Sequence, residues 1–97
     1  MDRAEVREKL ATDPTLAELI VCNPGLLSGK PAIFGTRLSV ELVLEGLAAG
    51  RTAEQLLAHY PTLYPQGIVA AVAYAERLPL DDPLARLLAE YRALRGR

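Results

Sequence analysis

The sequence predicts a mostly α-helical single domain with its β content confined to the first 40 residues, and three observations carry that prediction. From Val40 onward, apolar residues recur at the three- and four-residue spacing of a helix face. Glycine, proline and capping residues fall between those stripes, where helices must end and begin. Before Val40 the apolar runs are short and bounded by turn formers, as strands are. With 97 residues, the chain has material for one hydrophobic core and too little for two ordinary domains. Its 51% hydrophobic content is enough to drive folding, and 24% charged residues are enough to solvate a small surface.

In chain order, residues 2–10 have the composition of a short helix. Asp13-Pro14 then offers an N-cap and a first-turn proline for a second helical piece reaching Leu19. Ile20 to Cys22 reads as a strand stopped by Asn23-Pro24-Gly25. Ala32-Ile33-Phe34 and Leu38-Ser39-Val40 flank Gly35-Thr36, the pattern of a small hairpin or bend. Ser39 can cap a helix with the apolar stripe Val40, Val43, Leu44, Leu47 and Ala48, which Gly50 ends. Thr52 and Gln55 form a capping box for a second helix, with Ala53, Leu56, Leu57 and Tyr60 buried, before Pro61 stops it. Pro65 opens a third, with Ile68, Ala71, Val72 and Ala75 inward and Val69, Ala70 and Ala73 off the stripe. Asp82-Pro83 announces a last helix carried by Leu84, Leu87, Leu88, Tyr91 and Leu94, with Arg92, Arg95 and Arg97 at its negative dipole end. The chain thus divides into a helical extension at 1–19, a core at 20–77 and a C-terminal helix at 78–97.

Several function classes find no support. The 11 basic and 12 acidic side chains give a net charge of -1, so any nucleic-acid contact must come from a local patch. No apolar stretch approaches the roughly 20 residues of a membrane span and the N-terminus does not read as a signal peptide, so a cytoplasmic location is expected. Cys22, the one cysteine, allows no internal disulfide, and its apolar neighbours Leu19, Ile20 and Val21 predict burial. His59, the one histidine, has no cysteine or acidic partner at a metal-ligand interval and suits the end of a helix. Ser28 and Ser39 have no recognisable base, and Asp81-Asp82 reads as a helix start. Neither an enzyme nor a cofactor is expected. The Gly29-Lys30 region lacks the spacing of a phosphate-binding P-loop; Gly29, Pro31, Gly35 and Thr36 are better explained by turn geometry than by ligand contact.

The stretch Ser28-Gly29-Lys30-Pro31-Ala32-Ile33-Phe34-Gly35-Thr36-Arg37-Leu38-Ser39-Val40, with Leu47-Ala48-Ala49-Gly50, Tyr60-Pro61 and Ala73-Tyr74-Ala75, resembles the Domain of Unknown Function 433 family from about Ile20 to Arg77. The resemblance implies a homeodomain-like helix-turn-helix core of three helices preceded by short strands. It also implies a dimeric, DNA-binding antitoxin that occupies its own promoter and neutralises a PIN-like ribonuclease. Two departures stand out. Ser28 replaces a glycine common in the family, which alters local turn geometry. Tyr64-Pro65-Gln66-Gly67 replaces a threonine, proline and acidic start to the third helix, which predicts a looser turn there.

On that implied core, the third helix offers only Gln66 and Tyr74 as polar side chains between Pro65 and Ala75, which suits helix packing better than base readout. Lys30, Arg37 and Arg51 are candidate phosphate contacts, with Gln66 the candidate base reader. For Lys30 and Arg37 two readings stand side by side: phosphate contacts, or a solvated turn residue and an ion pair to a carboxylate such as Glu41. Leu84, Leu87, Leu88 and Tyr91 form a stripe that either folds back on the core or docks on a toxin or a second protomer. The competing function is a protein-interaction module without DNA binding.

Overall fold

The computed structural model describes residues 18–95, so the helix expected at 2–10 and most of the piece starting at Pro14 lie outside the described residues. Two short strands, β1 (Ile20–Val21) and β2 (Ala32–Ile33), pair antiparallel, with Ile20 opposite Ile33 and Val21 opposite Ala32. Four helices follow: α1 (Val40–Ala48), α2 (Ala53–His59), α3 (Pro65–Glu76) and α4 (Pro83–Arg95). The molecule is therefore mostly helical with a small two-stranded sheet on its N-terminal side.

The bend after β2 closes on itself. The Ile33 amide donates to the Leu38 carbonyl at 2.9 Å, and Val40 donates to Pro31 at 2.9 Å. Thr36 braces the inside: its hydroxyl donates to the Ile33 carbonyl at 2.8 Å and accepts from the Leu38 amide at 3.0 Å. Gly35 sits at φ 81°, which a side chain resists. Turn geometry thus accounts for the glycine and threonine of this motif, although the expected second run contributes only a bridge from Ser39 to Ala32. Cys22 is exposed, against expectation, because the strand ends at Val21 and the chain leaves the sheet for a turn closed by Gly25 donating to Asn23 Oδ1.

The caps are those the sequence announces. Ser39 accepts from the Leu42 amide at 2.9 Å, and Thr52 and Gln55 exchange both bonds of a capping box. Asp82 accepts from the Leu84 amide at 2.9 Å before α4. The core gathers Ile33 from β2, Val40, Val43, Leu44 and Leu47 from α1, Leu56 from α2, Ile68, Ala71 and Ala75 from α3, and Leu88 from α4. Ala53, expected inward, is exposed at the first turn of α2.

Helix α3 is more deeply enclosed than its stripe predicts. It packs against both strands and all three other helices, which buries Gln66, Gly67 and Ala70 as well as the expected face. Gly67 is what permits this. A Cβ there would lie 2.7 Å from Ile33 Cγ2, inside van der Waals contact. The turn into α3, expected to be loose, is instead tied down by the Tyr64 hydroxyl donating to the Phe34 carbonyl at 2.8 Å.

Candidate functional site

Helix α4 folds back on the domain and packs most extensively against α1. Leu88 joins the core at 3% exposure, and Leu84, Leu87 and Tyr91 are half-buried against it. The four residues singled out as a partner-binding stripe are thus largely consumed by internal packing, and of that face Leu94 keeps substantial exposure, at 42%. Glu76 and Arg92 form an exposed ion pair at 2.8 Å between α3 and α4, the one ion pair among the described residues. Both side chains are about half exposed, so the pair adds little stability.

Lys30 and Arg37 do come together. Both are exposed and line one shallow depression of about 330 Å³ with Leu27, Ser28, Ser39 and Leu42, at the start of α1. Arg37 makes no ion pair with Glu41. Arg51 lies elsewhere: it borders a smaller hollow of about 200 Å³ that shares the Leu42 wall and also holds Glu45 and Tyr60. Gln66 must be corrected as a base reader. It is 4% exposed, and its Oε1 is buried without a hydrogen-bond partner, because the enclosed start of α3 turns it inward. What α3 shows to solvent near its start is Pro65 and Val69.

The backbone before Lys30 is unusual. Leu27 and Ser28 have φ of 51° and 57°, with Gly29 next at 84°. Ser28 therefore occupies a left-handed conformation, one that glycine adopts without crowding. Two phenols depart from their ordinary values. Burial pushes Tyr64 up. Tyr74 is also raised, first by burial and then by the neighbouring Cys22 and Asp82. His59 stacks edge-on against Tyr60 at 4.7 Å, and among the described residues no group of three or more His, Cys, Asp or Glu side chains is arranged to hold a metal. No helix among them is long and apolar enough to cross a membrane.

Residues 20–75 match the family model described as a protein of unknown function, DUF433. The chain belongs to the DUF433 family. It is 36% identical over 73 residues to the uncharacterized protein y4eO of Sinorhizobium fredii, a stretch covering 75% of this chain and 33% of that one. This DUF433 chain thus spans about a third of the length of the curated relative it matches. The crystal structure of a DUF433 member from Anabaena variabilis superposes with a TM-score of 0.62 at 28% identity, covering 92% of this chain and 86% of that one. That likeness extends beyond the 20–75 match, so the DUF433 fold here includes more than the strands and first three helices.

A feature that sequence reasoning missed is a groove of about 460 Å³ between the α1–α2 elbow and the end of α4. Leu47, Tyr91 and Leu94 give it an apolar wall, and Arg51 and Arg95 stand on its lining. Arg95 donates to the Tyr91 hydroxyl at 3.0 Å and lies 5.7 Å from that ring's centroid. The four-residue spacing of Tyr91 and Arg95 was legible, but the pairing of both with Arg51 needed the fold.

Proposed function

We propose that this domain is a non-catalytic protein-interaction module, acting on a partner protein as the binding half of a toxin–antitoxin pair does. The observation that carries the reading is the surface of α3. In a helix-turn-helix core this helix would enter the major groove, where arginine, asparagine or glutamine reads base edges. Here Gln66 is buried, and Pro65 and Val69 face solvent in its place. A helix that starts with that face supports contact with protein and presents no arginine, asparagine or glutamine side chain to a base edge. The net charge of -1 adds no general attraction to DNA. Co-expression with the product of the reading frame adjacent to its own gene tests the proposal. The expected result is a stoichiometric complex that survives size exclusion; two separately eluting proteins would count against it.

One observation favours DNA contact as a second reading: Lys30 and Arg37 share a depression beside the start of α1 and have no ion-pair partner among the described residues. Such a pair can hold phosphates without reading sequence. Fluorescence anisotropy with upstream and scrambled DNA across a salt series separates the readings. Binding that ignores sequence and fades with salt is the signature of phosphate contact alone.

A further inference from the structure

We infer that the groove between the α1–α2 elbow and the C-terminal half of α4 docks an acidic, leucine-rich segment of a partner protein; this rests on the protein-interaction reading and gives it a place. Its lining has two components. Tyr91 and Leu94 supply apolar surface over the buried Leu47, with Leu94 left 42% exposed although it lies on the same helix as the buried Leu88. Arg51 and Arg95 supply two positive charges, and no carboxylate is among the lining residues. Glu45, which borders the neighbouring hollow together with Arg51, makes no ion pair with it. Both arginines are exposed and without an ion-pair partner among the described residues.

That combination selects its occupant by charge. A basic or neutral apolar segment would cover the leucines and leave two guanidinium groups crowded by its own chain, whereas glutamate or aspartate beside the apolar anchors meets each fork with a carboxylate. At about 460 Å³ the groove accommodates one or two anchoring side chains. It is also preformed. Arg95 is held against Tyr91 by a hydrogen bond and by its position near the ring, so less side-chain freedom is lost on docking.

The test is a titration of the isotope-labelled full chain with a short synthetic peptide of glutamate and leucine, followed by amide chemical shifts. A peptide with lysine in place of glutamate serves as control. The acidic peptide is expected to move the Leu47, Arg51, Leu94 and Arg95 resonances, and the control to leave them in place. R51E and R95E should each weaken binding by about tenfold or more while leaving the far-ultraviolet dichroism unchanged. Equal binding of both peptides, shifts centred elsewhere, or affinity unchanged in both variants overturns the groove. The partner complex then separates the two ideas. A complex that persists in the R51E/R95E double variant removes the groove and keeps the protein-interaction reading. Peptide binding by a chain that retains no partner keeps the groove and removes that reading.

Discussion

Ser28 is a residue whose cost is visible only in the backbone. Its φ of 57° lies where an L side chain crowds the following carbonyl, at roughly 1–2 kcal/mol. S28G relieves that clash and gives back part of the gain as added freedom in the unfolded chain. A net stabilisation of about 1 kcal/mol in urea denaturation is expected, and a loss would show that Ser28 makes a contact outweighing the strain. Tyr64 gives a pH signature. Burial raises its folded-state pKa above the unfolded value of about 10, so the folded chain holds the phenolic proton more tightly. Below that value this stabilisation is fully present; as pH climbs through the folded pKa it is lost, and the bond to the Phe34 carbonyl goes with it. Y64F should cost about 1 kcal/mol at pH 7 through the missing hydrogen bond, and its stability should fall less steeply above pH 10 than that of the parent. An identical alkaline decline in both proteins would place the effect elsewhere. Much at this scale was legible beforehand: Ser39, Thr52, Gln55 and Asp82 act as the caps their positions suggested. Cys22 and Gln66 were misread because residue type predicts average exposure, and neither the two-residue length of β1 nor the crowding at the start of α3 is written in local sequence.

At the scale of elements, α3 shows where periodicity runs out. Its inward stripe of Ile68, Ala71, Val72 and Ala75 follows from spacing, but the extra burial of Gly67 and Ala70 follows from how many neighbours press on it. Read alone, Gly67 is a weak helix former; packed against Ile33, it is the residue that lets α3 approach β2. G67A gains about 1 kcal/mol of helix propensity yet must displace a fully buried β-branched side chain. A net destabilisation of about 1–3 kcal/mol is expected by thermal or urea unfolding; a more stable variant would mean that the strand and helix can part without loss. The pairing of β1 with β2 was similarly out of reach, since ten residues of turn separate strands of two residues each.

For the whole molecule, the decisive fact is that α4 closes the domain. The order of helices and the mostly α architecture were legible from stripes and caps. The stripe alone does not decide whether the leucines of α4 face inward or a partner, because it serves either purpose. Leu88 at 3% exposure resolves it, and L88A should cost about 2–5 kcal/mol by equilibrium unfolding, as for other core leucines; a cost near zero would show that α4 is detachable. With Leu84, Leu87 and Leu88 turned inward, the surfaces open to a partner include the Pro65–Val69 face of α3, the Lys30–Arg37 depression and the Arg51–Arg95 groove with Tyr91 and Leu94 on its wall. Lys30 and Arg37 flank the expected hairpin, so their pairing is legible in the sequence; Arg51 and Arg95 are cations that only the fold makes neighbours.

Whether this DUF433 domain binds a protein partner, as proposed, is decided by calorimetric titration with the purified product of the adjacent reading frame. A saturable one-to-one isotherm is expected, with an enthalpy that becomes more negative on warming, the mark of apolar surface buried on binding. No saturable heat with that product, together with tight and sequence-dependent binding of upstream DNA by the domain alone, would contradict it.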